Sequence, residues 1–218
     1  MATLEPRVWK HIDALMKRYP PLETIREQIT DAYLIMQESF AQGGKLLVAG
    51  NGGSAADSEH IVGELMKRFV KPRPVQAAFA EKLIAVDPAR GAALAQSLER
   101  TLTAIPLVGH EALSTAFMND VGGADVYAQQ LLGYGRPGDV FLGISTSGRS
   151  ENILRAIVTA KALDLRVIGL TGRTGGQMKD LCDVTVQAPE TETYLIQEYH
   201  LPIYHCWCLM LEEYFFGA

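Results

Sequence analysis

The stretch Leu46–Phe69, LLVAGNGGSAADSEHIVGELMKRF, decides how the rest of the chain is read. Its opening residues, Leu46 to Ala49, are a short apolar run of the kind that becomes a buried strand. The glycine-rich turn Gly50-Asn51-Gly52-Gly53 follows, and then Ser54, whose side-chain oxygen suits the start of a helix. A helix running from there to near Arg68 places His60 and Glu64 one above the other on the same face. A glycine-rich turn entering a helix N-terminus can cradle a phosphate. A histidine and a carboxylate at that spacing can hold a divalent metal or work as an acid–base pair.

Toward the N-terminus, residues 5–18 and 22–42 read as two amphipathic helices parted by Tyr19-Pro20-Pro21. Toward the C-terminus, Lys71-Pro72-Arg73-Pro74 breaks the chain, and an Ala- and Leu-rich helical region covers about 77–102, interrupted at Asp87-Pro88. From Ile105 strands and helices alternate. Ile105–Val108 is a short strand weakened by Pro106, and His110–Phe117 and Val126–Tyr134 are helices around an Asn119-Asp120 turn. Asp139–Ile144 is a strand, Glu151–Leu163 a helix, Arg166–Thr171 and Val184–Gln187 strands, and about 195–215 a long last helix. Short apolar strands alternating with helices predict a parallel sheet covered on both faces.

A second segment, Gly143–Asn152 (GISTSGRSEN), sits between the end of a strand and the start of a helix. One hydroxyl would suffice to cap that helix. The presence of Ser145, Thr146, Ser147 and Ser150 together favours a phosphate cradle at the carboxyl end of the sheet. Gly50-Asn51-Gly52-Gly53-Ser54-Ala55 also satisfies the dinucleotide fingerprint. The acidic residue expected about 20 positions on is missing, because that region is the basic, proline-broken Arg68–Pro72. No P-loop motif occurs, and Gly172–Gly176 reads as an ordinary turn. A third segment runs from Gln197 to His205 on the last helix. Cys206 and Cys208 flank Trp207 there, but thiols two apart on a helix point about 200° away from each other, so both read as core. His11 and His110 read as structural.

The chain has 218 residues, 48% of them hydrophobic, enough for one domain with a sizeable core. A net charge of −5 and no dense Lys/Arg cluster exclude a protein that coats nucleic acid. The N-terminus lacks an apolar signal core, and no apolar run would span a bilayer. Three cysteines give no disulfide framework, and a cytoplasmic location is expected.

Taken together, GNGGSAADSEHIVGEL, GISTSGRSENI and IQEYHLPIYH resemble the sugar isomerase (SIS) domain family, and within it the sedoheptulose-7-phosphate (phosphoheptose) isomerases. The resemblance covers nearly the whole chain, 1–218, as a single SIS domain with N-terminal helices over 5–42 and a helical insertion at about 70–102. It implies an α/β fold, a five-stranded parallel sheet sandwiched by helices in a flavodoxin-like three-layer arrangement. It also implies a homotetramer with interface active sites. By position, Ser54, Ser145, Thr146, Ser147 and Ser150, with the Gly52-Gly53 turn, would hold the sugar phosphate. Asn51, Arg68, Asp120 and Gln197 would contact the sugar. His60, Glu64, Gln197 and His205 match the family's zinc ligands, and Glu64 and His205 its acid–base pair. The implied reaction is ketose–aldose isomerisation of a phosphorylated sugar through an enediolate. The alternative is a non-catalytic SIS-fold sugar-phosphate sensor or replication-initiator-binding adaptor. That adaptor branch lacks the final histidine, which is present here as His205.

Gln197 and His205 stand about 12 Å apart along an ideal helix, far for sharing one metal. Either Pro202 distorts the helix, or the two side chains serve different sites across an interface. Two features depart from the heptose enzymes: Tyr194 stands where they tend to carry an aspartate, and the segment between Phe69 and Leu102 is longer.

Overall fold

The computed structural model describes residues 5–217. The first amphipathic pair becomes α1 (Pro6–Arg18) and α2 (Arg26–Ala41), joined by a 3-10 turn (Pro20–Ile25). The two prolines tighten the chain there and delay the second helix beyond the expected residue 22. Next come β1 (Leu46–Ala49) and α3 (Gly53–Met66), then α4 (Ala77–Val86) and α5 (Pro88–Ser97). Asp87 explains the break between the last two: its carboxylate accepts from the Arg90 N–H, capping α5, and Pro88 occupies the first helical position. The alternating part supplies β2 (Ala104–Pro106), α6 (Glu111–Asp120), α7 (Val126–Tyr134), β3 (Val140–Ile144), α8 (Glu151–Ala162) and β4 (Arg166–Gly172). It ends with α9 (Met178–Leu181), β5 (Val184–Ala188) and α10 (Thr193–Phe216).

Other features differ from expectation as well. Asn119 and Asp120 are not a turn but the last turn of α6, and the chain reverses instead at Gly122, whose φ is 143°. The one-turn helix α9 has too few residues to show a period. Ser54 does not cap α3, since Gly52 occupies that place at φ 56°, a backbone conformation glycine adopts at no steric cost.

The strands form one sheet in the order β2-β1-β3-β4-β5, with every pairing parallel. Leu47 lies opposite Phe141, and Phe141 opposite Val167. Successive side chains therefore sort to two faces. Val48, Val140, Leu142, Ile168 and Leu170 pack under α1, α2, α3 and α10. Leu47, Ala49, Phe141 and Val167 pack under α7 and α8. The predicted three-layer sandwich is therefore the fold. Pro106 lies in edge strand β2, where a missing N–H is tolerated.

This strand order reverses direction between β1 and β3. Open parallel sheets bind ligands in the crevice at such a switch point, outside the carboxyl ends of the strands. The loops that leave β1 and β3 are the two segments singled out by their sequence.

Candidate active site at the β1/β3 switch point

The loop after β1 and the loop after β3 are tied together by a reciprocal amide pair. Asn51 Nδ2 donates to Asn152 Oδ1 at 3.0 Å, and Asn152 Nδ2 donates to Asn51 Oδ1 at 2.8 Å. Asn51 thus acts first on its neighbouring loop. Asn152 escaped sequence reasoning because its partner lies about a hundred residues away.

In the second loop the hydroxyls face one another. Ser145 Oγ lies 2.8 Å from Ser150 Oγ and 3.5 Å from Ser147 Oγ. Ser150 is the N-cap residue of α8, yet its hydroxyl makes no capping bond. The serines are therefore turned toward each other beside a helix N-terminus, an arrangement suited to an anion. Gly148 (φ 62°) lets this loop press on the loop after β4, because a Cβ there would lie 2.1 Å from Gly175 O. A cavity of about 230 Å³ opens between them, lined by Thr146, Ser147, Arg149, Arg173, Thr174 and Glu190, among others. Arg149 and Arg173 add positive charge, the latter from the 172–176 segment that reads in sequence as an ordinary turn. Ser54 is buried in the first turn of α3.

A second cluster forms farther along α3, where α10 crosses it. His60 Nε2 is 3.4 Å from Glu64 Oε1 and 3.4 Å from His205 Nε2, and the two imidazole rings meet edge to face. Glu64 also pairs with Lys67 Nζ at 3.0 Å. On its other side His60 Nδ1 lies 3.1 Å from the Tyr204 hydroxyl, which donates to Asp57 Oδ1 at 3.1 Å. Burial first, and then the neighbouring His60, lowers the His205 pKa below its ordinary 6.5, against the opposing pull of Glu64. His205 also lines a cavity of about 210 Å³ between α1 and α10, with His11, Arg18 and Tyr19.

The remaining predicted residues are spread out. Gln197 lies over the start of α3, where a Cβ on Gly53 would meet its Nε2 at 2.5 Å. Helix α10 runs without interruption through Pro202, so Gln197 and His205 address the two ends of α3 rather than one point. Arg68 pairs with Glu99 at the surface, and Asp120 accepts from Asn119. Among the described residues, neither hydrogen-bonds to the two loops. Tyr194 is exposed.

Donors held about 2.0–2.1 Å from a tetrahedral zinc stand about 3.3–3.4 Å apart. The contacts of His60 with Glu64 and with His205 match two such edges. Among the described residues no group of three His, Cys, Asp or Glu side chains closes into a metal cage. The donor chemistry therefore fits zinc at two edges, with Gln197 standing apart.

A parallel sheet of order 2-1-3-4-5, with a hydroxyl-rich loop at its switch point, defines an open α/β protein with a ligand crevice at the carboxyl ends of its strands. The SIS domain family model matches residues 10–103 and 96–172, and the chain belongs to that family. A phosphoheptose isomerase of Burkholderia pseudomallei is 39% identical over 196 residues, covering 90% of this chain and 84% of that one. A phosphoheptose isomerase of Nitratiruptor is also 39% identical, covering 88% and 89%. Among solved structures, the phosphoheptose isomerase of Neisseria gonorrhoeae superimposes with a TM-score of 0.72 at 30% identity, covering 97% of this chain and 100% of that one.

Proposed function

We propose that this chain is an aldose–ketose isomerase that converts sedoheptulose 7-phosphate to D-glycero-D-manno-heptose 7-phosphate through an enediolate. The observation that carries this reading is that His60 on α3 lies 3.4 Å from Glu64 one turn on and 3.4 Å from His205 on α10. Asn51, just before the N-terminus of the same α3, is bonded to Asn152 beside the serine-rich loop. The relatives' identity over most of both chains supports it.

In this reading Ser54, Ser145, Thr146, Ser147 and Ser150 hold the phosphate, with the Gly52-Gly53 turn beside them, while Asn51 braces the two loops. Glu64 takes a proton from C1 of the ketose as His205 gives one to the oxygen on C2. Glu64 then returns a proton to C2, and His205 recovers one from the oxygen on C1. Atoms balance without an external oxidant. A carboxylate and an imidazole suit these transfers. His60, Glu64 and His205, with Gln197 supplied across a subunit boundary, would hold zinc, which polarises the carbonyl when bound. Arg68 and Asp120 would reach the sugar of a neighbouring subunit in a homotetramer. The three cysteines are unpaired thiols, in keeping with a cytoplasmic enzyme. Among the described residues no helix is long and apolar enough to cross a membrane.

The test is His205→Ala. Turnover is expected to fall by at least about 10²-fold, the usual range for losing an acid–base group, while binding of the sugar phosphate persists. Unchanged turnover would overturn the assignment.

A further inference from the structure

The hydrogen bonds around His60 fix more than its position. Asp57 and His60 lie three residues apart on one face of α3, and the hydroxyl of buried Tyr204 from α10 stands between them. The Tyr204 hydroxyl has one proton, and it goes to the Asp57 carboxylate. The tyrosine oxygen can then only accept from His60, so Nδ1 must carry the imidazole proton. His60 Nε2 is left as a bare lone pair, and it is this atom that faces Glu64 Oε1 and His205 Nε2.

Two acceptors, the Nε2 lone pair and a carboxylate oxygen, thus stand 3.4 Å apart. Such a pair is favourable only with a proton or cation between them. We propose that Asp57 and Tyr204 are positioning residues. Asp57 holds the Tyr204 proton, Tyr204 thereby locks His60 in its Nδ1–H tautomer, and the His60 Nε2 lone pair is kept free for a cation shared with Glu64. This deepens the isomerase reading and rests on it only for the consequence on turnover. The tautomer follows from the hydrogen bonds alone.

Nothing in the local sequence marks this relay. Asp57 sits in the first half of α3 as an ordinary polar residue, and Tyr204 precedes His205 on a helix whose neighbouring positions are core. The two meet only because α10 crosses α3 at this level. Removing a partner that orients a metal-binding histidine typically weakens metal affinity or activity about 10–100-fold.

The experiment is 15N NMR of histidine-labelled, zinc-free protein, with the His60 signals assigned by their loss in His60→Gln. Zinc titration and steady-state kinetics on the same samples complete it. The unaltered protein is expected to show His60 protonated at Nδ1. In Asp57→Ala the Tyr204 O–H is freed to donate a hydrogen bond to His60 Nδ1, which then accepts, and the tautomer inverts to Nε2–H. Zinc binding should weaken about 10–100-fold, with kcat falling and KM for the sugar phosphate unchanged. Tyr204→Phe should leave the tautomer mixed. Asp57→Asn, whose amide oxygen still accepts from Tyr204, should restore most of the zinc affinity, which a general folding defect would not allow. An Nε2–H tautomer in the unaltered protein, or Asp57→Ala with tautomer and zinc affinity unchanged, would overturn the proposal. Protein that shows the tautomer and its inversion but turns over no sugar would leave the relay standing and remove the isomerase reading.

Discussion

At the scale of single residues, the buried histidine of α10 makes a prediction separate from catalysis. His200 is 0% exposed, donates from Nε2 to Thr171 O at 3.2 Å, and has no partner at Nδ1 among the described residues. Burial lowers its pKa from 6.5 to about 4, against the smaller opposing effect of the Thr171 carbonyl. Because the folded pKa is depressed, the unfolded chain takes up the proton first as pH falls. Stability is therefore complete above pH 6.5 and is lost progressively down to about pH 4, by about 3 kcal/mol from this group. His11 and His205, also lowered by burial, add to the loss in the same direction. Denaturant melts between pH 7 and pH 4 should show this decline. His200→Gln should flatten it, and an unchanged slope in that variant would contradict the assignment.

At the scale of elements, the end of α3 is held by a charge pair far from any loop motif. Arg73 and Glu212 are 0% and 1% exposed. The guanidinium donates to Leu65 O at 2.9 Å and to Glu64 O at 3.3 Å, capping the helix where Glu64 sits. Glu212 in turn accepts the N–H groups of Phe69, Val70 and Lys71. Burial alone would raise the Glu212 pKa, but those N–H groups and Arg73 outweigh it and hold the carboxylate below its ordinary range. Removing one member strands the other without a countercharge. Arg73→Met is accordingly expected to destabilise by about 3–5 kcal/mol and lower Tm by about 10 °C. A Tm within two degrees or so of the parent would show the pair to be dispensable. Sequence reading sees the ends of this construction and misses its middle. The apolar runs of β1 and β3 and the glycine and serine loops are local patterns, so the sheet and the two loops at its switch point are legible in the sequence. The Asn51–Asn152, Tyr204–Asp57 and Arg73–Glu212 pairs join residues about a hundred or more apart, and no periodicity reports them. The expected Ser54 cap failed for a local reason: glycine at position 52 already supplied the turn.

At the scale of the whole molecule, the segment that looked long in sequence is a helical hairpin. Pro74 and Glu99 bridge its neck, α4 has no buried residue, and in α5 only Gly91 is buried, against Leu83. Phe79, Ile84, Val86, Leu94 and Leu98 are exposed on it. A unit that contributes so little to the core should be separable from the fold. Replacing residues 76–97 by a short Gly-Ser linker is expected to leave Tm within a few degrees of the parent. Any change should appear instead in the subunit count seen by light scattering. A collapse of Tm would show that the hairpin belongs to the core.

The central claim joins the phosphate cradle to the His60–Glu64–His205 cluster as one isomerase site. Its most direct test is to incubate the purified protein with sedoheptulose 7-phosphate in deuterated water, with and without zinc, and to follow the product by NMR. Zinc-stimulated appearance of the aldose heptose 7-phosphate carrying deuterium at C2 is the predicted result. Tight binding of the sugar phosphate with neither aldose nor deuterium at C2 would contradict it, and would leave a protein that senses sugar phosphates without converting them.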